Sequence, residues 1–295
     1  MSDCGSYFYR CYSQTSAGGL ISGKGPGQGR PLGDNLLTEF INHLNLRTTY
    51  PTALVSVSSR ILDTLRRAFN KFYEDREYPS QIWIAFIYVP NADKHVRYHH
   101  AEGLARKGKM EKPSRLRYEY LFEWGIPEKY FFYRVSVETL MKRGFNMSEF
   151  LVYNDSGVAA LPSTRKLRND FVRAILESSD DAHEVGIYLG LLARSFGACS
   201  PLRQIILQLQ LERFHITSID HDDQVFRMSY DDDFRAIEDG VDVVLLDWWL
   251  TDPDFYGEYK DHLAWAEQRR GDVETEMELY KTEMQIEEAA IELGL

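Results

Sequence analysis

The chain has 295 residues, of which 44% are hydrophobic and 27% charged, and this is enough to bury the core of one large domain or two modest ones. Its formal net charge of -11 at pH 7 disfavours a protein-wide, non-specific attraction to nucleic acid or to an anionic membrane, although a local basic patch could still provide one. The longest apolar run, IWIAFIYV at 82–89, is too short to span a bilayer, so we expect no membrane insertion.

Apolar periodicity in the first half predicts an α+β fold with short strands. The segment YFYRCYS alternates like a strand, whereas residues 59–75 repeat their apolar side chains at helical spacing, with Ser58 or Ser59 as the expected N-cap. Asn35 is expected to cap an earlier helix. The predicted elements, in chain order, are a strand at 7–13, a glycine-rich loop at 16–33, a helix at 35–44, a strand at 52–59, a helix at 59–75, a strand at 81–90 and a strand at 130–141.

The composition changes at NDSGVAALPSTR, residues 154–165, which is typical of a linker. The remainder is acidic, and its apolar residues recur at helical spacing. We therefore divide the chain into an α+β domain at 1–153 and a mostly helical, acidic domain of unknown role at 154–295. The helices predicted in the second part are 165–178, 181–195, 201–212 and a glutamate-rich terminal helix at 271–295.

Three kinds of polar side chain interrupt the apolar segments of the first half. Arg10 is either a surface arginine on an edge strand or a clamp for phosphate or carboxylate, because a guanidinium donates hydrogen bonds in a fixed plane. Ser56 shares a strand face with Ser58 and could orient a neighbouring acid. Glu119, in RYEYLFEWGIP, is either a solvated acid at a strand edge or a functional carboxylate held among aromatic residues.

Taken in order, four segments resemble the Arg-Ser-Glu class of mono-ADP-ribosyltransferases. They are most similar to the cholera and heat-labile enterotoxin-like group and to uncharacterised fungal proteins of that superfamily. The resemblance covers about residues 5–145. The segments are YFYRCYSQTSAGGLISGKG, ALVSVSSR, IAFIYVPNA and EYLFEWGIPEKYFFYRV.

This resemblance implies a split β-sandwich that holds NAD in a cleft and transfers ADP-ribose to an acceptor with loss of nicotinamide. Arg10 would contact an NAD phosphate and brace the cleft, and Ser56 would hydrogen-bond the catalytic carboxylate. Glu119 would be that carboxylate and would hold the 2′-hydroxyl of the nicotinamide ribose. Further contacts to the dinucleotide are implied for Gly18, Gly19, His43 and Ser58.

The chemistry requires these residue types. Cleavage of the bond between nicotinamide and ribose builds positive charge on the sugar, and a nearby carboxylate stabilises it, as in glycoside hydrolysis. An arginine on the diphosphate aligns the bond that breaks. An arginine at position 10 without the carboxylate of Glu119 would only bind the dinucleotide.

Two departures from the family pattern bear on the acceptor. Members that modify arginine carry Glu-x-Glu before the Gly-Ile-Pro turn, and Arg117 stands where the first glutamate would be. An arginine cannot act as a base near neutral pH. The acidic residue usual soon after the first-strand arginine is also missing, with Tyr12 and Ser13 near its place. The chain would then modify another acceptor, hydrolyse NAD slowly, or be an inactive module that binds proteins through its acidic helical region. A fold unrelated to the transferases stays open as a third reading.

The expected partners are NAD and a macromolecular acceptor. A protein acceptor is expected first, but the basic segment 105–117 also allows a nucleic acid. We expect no metal. His95, His99 and His100 lack a cysteine or carboxylate partner at zinc-site spacing, and the acidic runs 218–224 and 229–234 lack the glycine and final glutamate of a calcium loop.

The compartment is predicted from what the first residues and the cysteines do not show. The segment MSDCGSYFYRCYSQ has neither the basic nor the apolar region of a secretory signal peptide. The three cysteines, Cys4, Cys11 and Cys199, are too few for a secreted disulfide framework. We therefore expect a cytoplasmic protein, and export by a non-classical route stays open.

Overall fold

The computed structural model describes residues 5–16, 18–27, 30–45, 50–91, 93, 96–153, 157–178, 181–217, 232–251 and 282. Met1–Leu245 form one compact unit and Leu246–Leu295 a second. The predicted boundary between residues 153 and 154 lies inside the first unit, between a part that carries the six-stranded sheet and a mostly helical part. It also separates the paired strands Val152–Tyr153 and Ala159–Ala160, and the two-domain division stays a prediction. The helix predicted at 271–295 lies outside the described residues, apart from position 282.

The first part is built on one antiparallel six-stranded sheet with the order β4-β5-β2-β1-β3-β6, and the α+β prediction is confirmed. β1 pairs with β3 along its whole length but with β2 only at Tyr9 and Ser58. The sheet thus consists of two three-stranded halves that meet at one residue pair. The strands are β1 (Ser6–Tyr12), β2 (Leu54–Ser58), β3 (Trp83–Val89), β4 (Tyr98–His100), β5 (Glu119–Glu123), β6 (Phe131–Ser136) and, in a separate hairpin, β7 (Val152–Tyr153) and β8 (Ala159–Ala160).

Eight helices are described, and none of them is long and apolar enough within the described residues to cross a bilayer. The helices predicted at 35–44 and 59–75, and the three predicted between 165 and 212, are confirmed with small shifts in their ends. The bounds are α1 (Leu36–Leu44), α2 (Ile61–Tyr73), α3 (Ala101–Lys107), α4 (Val137–Lys142), α5 (Thr164–Ser178), α6 (Ala182–Arg194), α7 (Leu202–Thr217) and α8 (Asp232–Thr251).

Two sequence-based expectations about element ends were wrong, and a third is confirmed only in position. The strand predicted at 130–141 stops at Ser136, whose hydroxyl accepts a hydrogen bond from the Thr139 backbone N–H and so starts α4. Arg60, and not Ser58 or Ser59, occupies the N-cap position of α2. Asn35 does occupy the N-cap position of α1, but it also ends a short 3₁₀ turn, and its side chain makes no capping bond.

The two faces of the sheet are covered differently. One face carries an apolar cluster that contains no residue of α2, and α2 packs on β1, β2 and β3. A second cluster lies between α1, α3 and the β2–β5 pair, with Phe40 completely buried in it. Each fully buried Leu or Phe contributes roughly 1.5–3 kcal/mol through removal of its surface from water. The first cluster consists of Phe8, Val55, Val57, Ile87, Val89, Phe122, Ile126 and Tyr130.

A buried group of charges connects the helices α5 and α7 to the start of α2. Arg60 Nε lies 3.4 Å from Glu212 Oε1, and Arg168 Nε lies 3.0 Å from Glu212 Oε2. The side chains of Arg60 and Glu212 are only 6% and 3% exposed. Burial raises the pKa of Glu212, and the charges of Arg60 and Arg168 oppose that rise. Arg60 also lies 3.5 Å from the ring centroid of Tyr118, the residue before β5.

Replacement of Glu212 by alanine should strongly destabilise the fold, because it leaves two arginines without their shared carboxylate. We expect Glu212→Ala to lower the free energy of unfolding by about 3–5 kcal/mol. The matched control is Glu138→Ala, which removes an exposed carboxylate 3.3 Å from Lys142 on α4 and should cost less than about 0.5 kcal/mol. Chemical denaturation measures both values, and equal losses would show that the buried group is not a structural connection.

Candidate active site

The junction between the two halves of the sheet is spanned by Arg10. Its Nη1 donates to the carbonyl oxygen of Ser56 on β2 at 2.5 Å. Its Nε and Nη2 donate to the carbonyls of Gly19 and Gly18, at 2.7 and 3.1 Å. One guanidinium therefore ties β1, β2 and the glycine-rich loop together at the point where the pairing of β1 with β2 ends.

The Arg10 side chain keeps its charge despite its enclosure. The pKa of Arg10 is lowered to about 10, chiefly by burial; the nearby charge of Arg67 acts in the same direction, and the charge of Glu119 opposes it. At neutral pH the guanidinium is protonated. Three of its five N–H groups are used by the three carbonyls, so two remain for another acceptor.

Glu119 begins β5 and lies directly opposite Ser58 in the β2–β5 pair, while Ser56 lies opposite Leu121. Ser56 and Glu119 are therefore diagonal neighbours on one face of the sheet. Tyr9 pairs with Ser58 and therefore lies on the same face as Ser56 and Glu119. Because side chains alternate along a strand, the next residue, Arg10, starts from the opposite face. The guanidinium reaches Ser56 through the gap between the strands, which brings its charge within range of the Glu119 carboxylate.

Arg67 on α2 is a fourth member of this site that sequence reasoning missed. Its Nη2 lies 3.7 Å from Glu119 Oε2, and its side chain is 50% exposed, whereas that of Glu119 is 16% exposed. The apolar periodicity of 59–75 marks Arg67 only as a residue of the polar helix face. No local signal separates it from Arg66, whose Nε instead donates to the Pro162 carbonyl.

His43, at the end of α1, belongs to the same electrostatic environment. Its Nδ1 lies 2.8 Å from Thr52 Oγ1. Burial lowers the pKa of His43 to about 4, and the charges of Arg10 and Arg67 act in the same direction. The imidazole is therefore neutral at pH 7, when it can donate from one ring nitrogen and accept with the other.

The remaining predicted site residues have roles in the local structure. The Ser58 hydroxyl is buried and accepts a hydrogen bond from the Arg60 backbone N–H. Gly18 has a φ of 149°, and a Cβ there would lie 2.2 Å from the Ile21 carbonyl oxygen, so only glycine fits. Gly19 borders the Tyr12 ring at ordinary contact distance. Their predicted contacts with a dinucleotide stay predictions.

Two charged residues close to Glu119 in sequence, Glu123 and Arg117, have other roles in the structure. The side chain of Glu123 is only 5% exposed. Its carboxylate accepts from the Leu32 backbone N–H at 3.0 Å and lies 2.8 Å from His99 Nε2. It therefore holds the loop before α1 and the edge strand β4 onto the sheet. Arg117 is exposed, and its carbonyl oxygen lies 2.6 Å from His100 Nε2. Position 117 therefore has no carboxylate, and the carboxylate of Glu123 is not accessible to replace it.

Within the described ranges, no group of three or more His, Cys, Asp or Glu side chains is arranged to hold a metal ion. His99 and His100 point to different partners, Glu123 and the Arg117 carbonyl. His95 and residues 218–231, which hold most of the two acidic runs, lie outside the described residues.

Residues 5–140 match the model of a family described as a domain of unknown function, DUF7587. No curated protein and no solved structure matches the chain. The matched segment contains Arg10, His43, Ser56, Arg67 and Glu119 and ends before α5. The residues described at the sheet junction thus all belong to the matched segment.

Protonation of His43 should contribute to a loss of stability in mild acid. Its pKa is about 4 in the folded chain and 6.5 ordinarily, so the unfolded chain binds the proton more readily. This contribution is fully present above about pH 6.5 and is lost as the pH falls toward 4. His43→Gln should therefore show a shallower fall of the unfolding free energy over that interval.

The measurement is denaturant unfolding at several pH values, paired with NMR titration of the His43 ring. An imidazole that titrates near 6.5 in the folded protein would remove His43 from this electrostatic cluster.

Proposed function

We propose that the protein is an NAD-dependent mono-ADP-ribosyltransferase, which transfers ADP-ribose from NAD to a macromolecular acceptor and releases nicotinamide. The observation that carries the proposal is the meeting of Arg10, Ser56 and Glu119, which are distant in sequence, on the adjacent strands β1, β2 and β5. The two three-stranded halves that share one residue pair would be the two sheets of a split β-sandwich, with NAD in the junction between them.

The cations at the junction are suited to a dinucleotide. Arg10 is held rigidly by three carbonyls and keeps two N–H groups, so it would brace the gap and contact one phosphate. Arg67 is half exposed and would turn from Glu119 toward the diphosphate. That movement would free the carboxylate to face the ribose. Neutral His43 would serve as a hydrogen-bonding partner at the adenosine end.

Glu119 would carry the chemical step. The bond between the ribose C1′ and the nicotinamide nitrogen breaks, and its electron pair leaves with nicotinamide. The carboxylate stabilises the positive charge that develops on the ribose and accepts a hydrogen bond from its 2′-hydroxyl. A nucleophile of the acceptor then bonds to C1′ and loses its proton to solvent or to its own base, because Arg117 cannot take a proton.

The second candidate is an inactive ADP-ribosyltransferase-like module that binds a protein partner through its acidic helical region. Two observations favour it. Arg117 occupies the position of the acceptor-activating glutamate, and three of the donors of Arg10 are already committed to the backbone. The transferase is preferred because a binding module has no need for Glu119 beside two arginines at the junction.

Removal of the Glu119 charge should abolish turnover and leave binding nearly intact. We expect Glu119→Gln to lower nicotinamide release from NAD by at least about 100-fold, while NAD affinity changes by less than about threefold, since the carboxylate acts mainly in the transition state. Chromatography of released nicotinamide and calorimetry measure the two quantities. The control is Glu128→Gln, an exposed carboxylate after the Gly-Ile-Pro turn, which should behave as wild type.

The result separates the two candidates. Turnover by wild type but not by Glu119→Gln would establish the enzyme. Silence from both proteins, with no NAD binding, would favour the inactive module, and equal turnover would place the chemistry elsewhere.

A further inference from the structure

A compact group of cations lies immediately before Glu119 in the chain. The segment 105–117 contains six basic residues, and Arg106 is neutralised by Glu102, whose carboxylate accepts a 2.6 Å hydrogen bond from it. The other five are exposed, and none of them forms an ion pair with a described residue. Glu111 is the one acid of the segment. We refer to these five cations as the basic surface: Lys107, Lys109, Lys112, Arg115 and Arg117.

The basic surface is built on a fixed backbone. α3 packs against the 3₁₀ turn Pro113–Leu116, and Leu104 and Ala105 are buried in the cluster that also contains Phe40. Lys109 and Lys112 both have a φ of 53°, a left-handed conformation that costs a non-glycine residue about 1 kcal/mol or more. Both residues lie between α3 and the 3₁₀ turn, which pack against each other.

The charge of this segment contrasts with that of the whole chain, whose net charge is -11. A weakly charged anionic partner would be repelled by most of the protein. A nucleic acid differs because its dense phosphates hold condensed counterions, and a local set of cations that replaces them gains free energy from their release. An acidic peptide offers no comparable gain.

We propose that the basic surface binds the phosphate backbone of a nucleic acid. Binding by phosphate contacts alone would be independent of base sequence and strongly dependent on salt. The contact does not rest on the proposed transferase activity, because it needs neither NAD nor Glu119. The basic surface ends two residues before Glu119. If both proposals hold, a bound strand therefore lies near the carboxylate that promotes cleavage of NAD, and nucleic acid is the acceptor class.

Fluorescence anisotropy with labelled oligonucleotides of roughly 20 nucleotides tests the proposal, using single-stranded DNA, single-stranded RNA and duplex DNA. Five cations and one acid leave a net charge of about four, so the slope of log K against log salt should lie between about -3 and -4 over roughly 50–200 mM. Polyglutamate and vesicles of anionic lipid are the competing ligands. The titration contains no NAD, so its result does not depend on whether the protein transfers ADP-ribose.

The deciding variant is Lys107→Glu with Arg115→Glu, which should weaken binding at low salt by at least about tenfold and reduce the slope by about two. The matched control is Arg165→Glu with Lys166→Glu, which makes the same change of charge at exposed positions of α5. It should change the slope by less than about one. Arg115→Gln repeats the test without charge reversal and should reduce the slope by about one.

Four outcomes would overturn the proposal: absence of binding, binding that does not depend on salt, an equal loss in the control, and polyglutamate or vesicles bound as tightly as the oligonucleotides. The last of these would indicate an acidic protein or a membrane surface in place of a nucleic acid.

Discussion

The pairing between β1 and β2 is the least extensive in the sheet, and the guanidinium of Arg10 bridges the place where it ends. β1 and β2 share a single residue pair, so the carbonyl of Ser56 and those of Gly18 and Gly19 would face the gap without partners on the neighbouring strand. Arg10 satisfies all three. Burial of a charged group or of a backbone carbonyl costs free energy unless hydrogen bonds within the protein replace those lost to water. The loop, the strand junction and the proposed dinucleotide site therefore depend on the same side chain.

Positive charge is concentrated around this junction, although the chain as a whole is acidic. The protein is acidic as a whole, yet Arg10, Arg67 and the basic surface are grouped near Glu119 in sequence or in space. Such a local concentration of cations would attract an anionic substrate to the one carboxylate that could act on it. The buried contact of Arg60 with Tyr118 and Glu212 fixes the chain directly before β5, so the helices α5 and α7 support the position of Glu119 from behind.

Periodicity predicted the helices α1 and α2 and the strands β1, β2 and β3 because their apolar residues repeat over many positions. It failed at β6, where one capping hydroxyl at Ser136 converts an apolar run into a helix. The resemblance to transferases singled out Arg10, Ser56 and Glu119 as candidate site residues, and all three lie on adjacent strands. Arg67 could not be predicted, because its pairing with Glu119 depends on how α2 crosses the sheet. Glu123 shows the converse: a glutamate of the same strand face is occupied by His99 and the Leu32 amide.

NAD binding is proposed to depend on the planar guanidinium of Arg10. Calorimetric titration of wild type and Arg10→Lys with NAD tests this dependence most directly. A lysine ammonium cannot donate to all three carbonyls in the geometry of the guanidinium, and it presents no planar pair of N–H groups to a phosphate. We expect wild type to bind NAD and the variant, shown by circular dichroism to be folded, to bind it at least about tenfold more weakly. A folded Arg10→Lys protein with wild-type NAD affinity would contradict the claim.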